Sequence, residues 1–141
     1  RENPRQRKNR NFHQGDAAVA HRLLNAIEPG SYLAPHRHLD ANKDETIVVL
    51  RGRLAVFFFD DDGNVRQTVA LSPLGAVCGV NIPHGEYHTV LALDPGTVML
   101  EAKAGPYRPL AEAERAHWAP AEGEAEALAY AQMLIAHCES L

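Results

Sequence analysis

The chain is predicted to fold as an all-β sandwich or barrel with a C-terminal helical extension, and three observations carry that prediction. About eight short segments, apolar or alternating, recur at intervals of roughly 8 to 12 residues, the spacing of strands in such folds. Turn-forming residues separate them, at Pro29-Gly30, Gly52, Asp61-Asp62-Gly63-Asn64, Pro73-Leu74-Gly75, Pro83-His84-Gly85 and Asp94-Pro95-Gly96. After Gly105-Pro106 the pattern changes, and Ala, Glu and Leu recur at helical spacing.

Taken in order, residues 1–20 read as a basic N-terminal arm, 21–105 as the β core and 106–141 as the helical extension packed on it. His21 to Glu28 alternates weakly and stops at Pro29-Gly30, as a strand closed by a turn does. Tyr32 to His38 is the next extended piece, Leu39 to Asp44 a polar loop, and Thr46 to Leu50 a short apolar strand turned by Gly52. Arg53 to Asp60 is apolar on both faces, so one face is expected on the core and the other against a second subunit, which predicts a homodimer. The Asp-Asp-Gly-Asn turn pairs this strand with Val65 to Leu71 in a hairpin. Ala76 to Ile82, His88 to Leu93 and Thr97 to Lys103 complete the strands, while Leu110 to His117 and Ala121 to Cys138 are read as helices. Leu128, Met133, Leu134 and Ile135 give the second helix an apolar stripe, read as structural.

With 141 residues the chain suffices for one domain and one two-sheet core. Its 45% hydrophobic and 23% charged content is that of a soluble globular protein, and no apolar run approaches the about 20 residues of a membrane-spanning helix. No signal-peptide apolar region follows Arg1-Glu2-Asn3-Pro4, so no membrane association and a cytoplasmic location are expected. Cys78 and Cys138 stand in no paired motif and read as small, mostly buried thiols rather than a disulfide or a thiolate metal site. The net charge of -4 is uneven: the first ten residues carry +4 and the remainder -8. Arg5 and Arg7 in the basic arm, with His13, are candidates for holding an acidic or phosphorylated small molecule, the alternative being a solvated arm. Nucleic acid is not expected as a partner, because the body is acidic and the aromatics are not interleaved with the basic residues.

His36 and His38 lie two apart in an extended segment, so both imidazoles project to one face while Arg37 points away. Glu45 heads the next strand, and His88 follows the Pro83-His84-Gly85 turn. Three neutral imidazoles and a carboxylate make a site for one divalent transition metal ion per chain, with Zn, Fe, Ni, Mn and Co equally suited by ligand type. Tyr32 and His84 are candidate proton shuttles, with Tyr87 and His13 behind them; Tyr87 is expected to point out of the barrel and Tyr32 to share the inward face of His36. His21, His117 and His137 are attributed to surface or helix packing. There is no nucleophile elbow, phosphate-cradling loop or Cys–His pair, which disfavours acyl transfer, nucleotide-dependent phosphoryl transfer and dinucleotide redox chemistry.

These residues resemble a known pattern. Gly30, His36-x-His38, Glu45 and Gly52 look like the first cupin motif, and Pro83-x-Gly85-x-x-His88 like the core of the second. Six residues separate His38 from Glu45 where the usual pattern has three or four, and Ala92 stands where an asparagine is usual. Glu2-Asn3-Pro4-Arg5-x-Arg7, Asn11-Phe12-His13, Gly105-Pro106-Tyr107 and Trp118-Ala119-Pro120 extend the resemblance, over nearly the whole chain, to the WbuC family of cupin-fold metalloproteins. The resemblance implies a metal-binding double-stranded β-helix, or jelly-roll, and an association with bacterial surface-polysaccharide genes. The leading expectation is therefore a metal-dependent isomerase, epimerase or lyase acting on a sugar or sugar-derived small molecule. An iron-dependent dioxygenase, or a non-catalytic metal-dependent small-ligand binding protein, are the alternatives.

Overall fold

The computed structural model describes residues 4–139; Arg1, Glu2 and Asn3, part of the basic run and of the N-terminal resemblance, lie outside the described residues. Eight strands and one helix follow in the order β1 (Arg7–Asn11), β2 (Ala20–Ile27), β3 (Glu45–Arg51), β4 (Leu54–Phe59), β5 (Val65–Leu71), β6 (Gly79–Ile82), β7 (Tyr87–Ala92), β8 (Thr97–Ala104) and α1 (Ala127–Cys138). They form a five-stranded sheet, β1-β2-β8-β3-β6, and a three-stranded sheet, β5-β4-β7. Every named pairing is antiparallel.

Alternation along the strands sorts side chains between two apolar layers. Ile27, Ile47, Val49 and Met99 of the larger sheet meet Leu54, Val56, Phe58, Val90 and Ala92 of the smaller one, which forms the core between the sheets. Ala55, Phe57, Phe59, Tyr87 and Leu91 face the other way and are buried under Trp118 and the Ala127, Ala131 and Leu134 face of α1. Both faces of β4 are thus buried, as its composition predicts, and its outer face is covered by Trp118 and the chain's own helix. Tyr87 lies in this outer layer, as expected of its outward position.

The buried stripe of α1 differs from the one the sequence predicts. Leu128 and Met133 are 64% and 44% exposed, whereas Ala127, Ala131 and Leu134, at i, i+4 and i+7, are buried. Phe57, Phe59 and Trp118 already fill the space beneath the helix, so it approaches through its small residues. Leu134, fully buried there, is the apolar side chain on which that packing turns. Leu134→Ala is expected to cost about 2–5 kcal/mol, read as a lowered urea midpoint at unchanged slope.

Three other expectations are corrected. The N-terminal arm supplies an edge strand: β1 pairs along β2 from Arg7↔Ile27 to Asn11↔Leu23. Among the described residues the extension holds one α-helix, not two. Glu112–Glu114 forms a single 3-10 turn, and residues 121–126 are turns in which Glu122 is drawn across to Arg5 and Arg7 at 2.7–3.1 Å. Cys78 is exposed, because Ala76 to Cys78 precedes β6 instead of forming its start, while Cys138 is half-buried. Among the described residues, no helix is long and apolar enough to cross a membrane.

Candidate metal centre and its cavity

Residues 32–38 form no named strand, yet His36 is fixed opposite His88. The His36 amide donates to the His88 carbonyl at 3.1 Å, and the His88 amide donates back to the His36 carbonyl at 2.9 Å. Gly85 adds a third clamp, donating its amide to the His38 carbonyl at 2.6 Å. Its φ of +81° is one that a side-chain-bearing residue rarely adopts, so glycine makes this turn possible. The clamps bring the imidazoles of His36, His38 and His88 together, with one ring nitrogen from each within 4.8 Å of the others.

Backbone carbonyls set which nitrogen faces the centre. A carbonyl only accepts, so His36 Nδ1 donates to the Ala34 carbonyl at 3.0 Å and His88 Nδ1 donates to the Glu86 carbonyl at 2.9 Å. This leaves Nε2 of both rings for a metal, the arrangement by which outer partners orient metal-binding histidines. Glu45 joins them: its Oε1 lies 2.9 Å from His38 Nε2 and its Oε2 lies 3.1 Å from His88 Nε2. The long loop before Glu45 is anchored by Lys43, whose Nζ donates to the Ala104 and Pro106 carbonyls, and by Asp44, which accepts from His84. The extra residues therefore do not displace the carboxylate.

The electrostatics favour a cation here. Burial alone would raise the Glu45 carboxyl, but hydrogen bonds from His38 and His88 outweigh it and hold it well below the usual range. Burial, reinforced by the neighbouring His88, lowers His36 to about 4, so its imidazole is neutral and able to coordinate. For His88, burial opposes the cation and is overcome by Glu45, which raises it. His88 Nε2 and the Glu45 carboxylate thus pair directly at 3.1 Å, and both are groups that could hold a cation.

The centre opens into a cavity of about 390 Å³ between the sheets. Its second polar layer comes from β8, where Glu101 and Lys103 occupy inward positions beside Glu45. Lys103 Nζ lies 3.4 Å from Glu45 Oε1 and 3.2 Å from Glu101 Oε2. Burial, then the nearby Glu45 charge, raises the Glu101 carboxyl; the two carboxylates more than offset burial at Lys103 and raise it. The charge pattern at alternate positions of Thr97-Val98-Met99-Leu100-Glu101-Ala102-Lys103 is the signal by which sequence reading could have found them.

His21, attributed to surface or helix packing, is instead buried in the cavity wall, where its ring stacks on His13 at 3.8 Å. Arg5 and Arg7 also line the cavity, with Arg7 held by Glu122 and Ser31. Of the proton-shuttle candidates, His13 lines the cavity, whereas Tyr32 and His84 do not. Tyr32 turns into the outer layer, because its hydroxyl donates to the Pro120 carbonyl at 2.7 Å, and burial raises it. His84 is held at the exposed turn by Asp44, 2.8 Å from its Nδ1, and does not line the cavity.

With this geometry in place, likenesses to known proteins give its setting. Residues 1–71 match the profile of a family described as Domain of unknown function (DUF6016). No curated protein matches the chain. Among solved structures it is similar to KdgF from Halomonas sp., at 19% identity over 77% of this chain and 86% of that one, with a TM-score of 0.56. It is also similar to a cupin-2 domain containing protein from Shewanella frigidimarina, at 22% identity over 69% and 79% of the two chains, with a TM-score of 0.51. A recombinant oxalate oxidase in complex with glycolate is similar at 13% identity over 76% of this chain and 55% of that one, with a TM-score of 0.55. The fold is accordingly a cupin-type jelly-roll with a C-terminal helix, and its histidine cluster is a possible metal site.

Proposed function

The chain belongs to the DUF6016 family, described as a domain of unknown function, and from its site we propose that it is a metal-dependent enzyme acting on a sugar or sugar-derived small molecule by isomerisation, epimerisation or elimination. The observation that carries this reading is the partly buried Glu101–Lys103 pair, which shares one cavity with His36, His88 and Glu45. A merely structural metal site needs no such pair beside it.

The four ligand side chains fit a divalent ion, which would supply Lewis-acid polarisation of a substrate carbonyl or hydroxyl. The chain's own residues supply the rest. Lys103 Nζ presents positive charge to a substrate oxygen on which negative charge develops. Glu101, its carboxyl raised by burial and by the nearby Glu45, supplies the acid–base carboxyl, and Lys103 fixes its Oε2 at 3.2 Å. These two groups take the role that sequence reading gave to Tyr32 and His84. Apolar neighbours Ile47, Val90 and Met99 line the same cavity and limit water there. The resemblance to WbuC proteins supports surface-polysaccharide metabolism as the setting.

Protein purified without added metal is expected to carry one divalent ion per chain by elemental analysis. The loaded protein is expected to convert at least one member of a panel of free and nucleotide-linked sugars, followed by NMR. A chain that takes up no ion on reconstitution overturns the metalloenzyme reading. Oxygen consumption appearing only with ferrous iron would replace isomerisation by dioxygenation.

A further inference from the structure

We propose that the cavity contains a second subsite, remote from the metal centre, that binds the hydroxyl groups of an extended polyhydroxy acid through the carboxamides of Asn9, Asn11 and Asn25. The inference rests on the metal-centre reading for the other end of the ligand.

Strand register places the two ends. Glu45 of β3 pairs with Lys103 of β8, which pairs in turn with His21 of β2. His21 is thus two strand spacings, roughly 10 Å, from the metal-binding carboxylate. Beyond it, Asn25 of β2 sits opposite Asn9 of β1, and Asn11 sits opposite Leu23. Side chains alternate, so Asn9 and Asn11 share the inward face of β1 as His21, Leu23 and Asn25 share that of β2, and all five line the cavity.

Asn25 is the observation that asks for a ligand. It is 6% exposed, and its Oδ1 has no hydrogen-bond partner among the described residues. A buried carbonyl oxygen left without a donor is costly and uncommon, and an alcohol supplies the donor it lacks. Carboxamides both donate and accept, which suits hydroxyls, themselves donors and acceptors. A cavity of about 390 Å³ also leaves most of its volume unfilled by a two-carbon acid held at the metal end. Lys103 stands beside the metal ligands and suits the acid head, whereas at the Asn end the nearby Arg7 is already paired with Glu122 at 2.7 Å.

Glycolate and gluconate share an α-hydroxy acid head and differ in the polyol tail, so they serve as probes. Calorimetric titration of the metal-loaded protein is expected to show gluconate binding at least tenfold tighter than glycolate. Asn25→Ala and, separately, Asn9→Ala are expected to weaken gluconate about tenfold while leaving glycolate within twofold. Asn9 lies on an exposed edge strand, so its variant tests the subsite even if Asn25→Ala fails to fold. Gluconate binding no tighter than glycolate in the wild type overturns the proposal, as does an equal loss of both probes in Asn9→Ala. Either result leaves metal content untouched, whereas absence of metal uptake would strike the metal-centre reading first.

Discussion

Replacing His88 by alanine is expected to lower metal affinity by more than about a hundredfold, beyond the 10–100-fold typical of changing an outer partner of a metal ligand. His88 is almost fully buried in β7, its Nδ1 is committed to the Glu86 carbonyl, and its backbone holds His36 in place through two hydrogen bonds. Alanine preserves those backbone bonds, so the loss reports the missing Nε2 and not a displaced segment. His84→Ala, four residues earlier on the exposed turn, is expected to bind metal as the wild type does. Affinity is also expected to depend on pH with a definite sign. His88 is raised by Glu45, and coordination through its Nε2 requires the deprotonated ring. Uptake therefore weakens as pH falls through the raised His88 titration, which lies above the ordinary value of 6.5, and levels off at higher pH. His36, lowered to about 4, adds no dependence near neutrality. Calorimetric titration with zinc across pH 5 to 9 reads both effects, and equal affinity in His88→Ala and wild type would remove His88 from the centre.

Much of this centre was legible because period-2 geometry and turn chemistry act locally. His36-x-His38 needs only extended backbone, and Pro83-His84-Gly85 needs only a turn to deliver His88. Tyr32 shows where local reasoning stops. Alternation would place it on the inward face with His36, but residues 32–35 make no regular ladder, and Pro120, 88 residues away, captures the hydroxyl. Lys103 and Glu101 were legible in principle as charges at inward positions of an otherwise apolar strand. Sequence alone does not single them out, because charges at strand ends ordinarily face water. The β1 strand was hidden differently. Arg7-Lys8-Asn9-Arg10-Asn11 has almost no β propensity, and it pairs only because β2 offers an unpaired edge while Glu122 neutralises Arg5 and Arg7 from the far end of the chain.

Lys103→Met is expected to destabilise the metal-free protein by about 3–5 kcal/mol, the usual result of removing one partner from a buried charged network. Methionine keeps the stem's volume, so the loss would be electrostatic. Glu45 and Glu101 would then face each other across the cavity without the ammonium that lies between them at 3.4 and 3.2 Å. Two conditions should shrink the deficit if that account is right. A divalent ion at His36, His38, His88 and Glu45 restores positive charge beside Glu45, so the loaded variant should regain part of the loss in addition to the ordinary stabilisation by a bound ligand. Acidification should help as well, and the sign follows from linkage. Glu101 is already raised by burial, and losing Lys103 raises it further. A carboxyl whose folded-state value lies above its unfolded one favours folding below the unfolded value, near 4.5, and loses that contribution as pH rises through the folded value. The variant should therefore approach wild-type stability at the acid end and fall away toward neutrality. Urea unfolding of both proteins at several pH values, with and without zinc, measures this. A deficit below about 1 kcal/mol that does not change with pH or metal would mean that water, not Lys103, balances the two carboxylates, and the acid–base pair proposed for catalysis would lose its electrostatic basis.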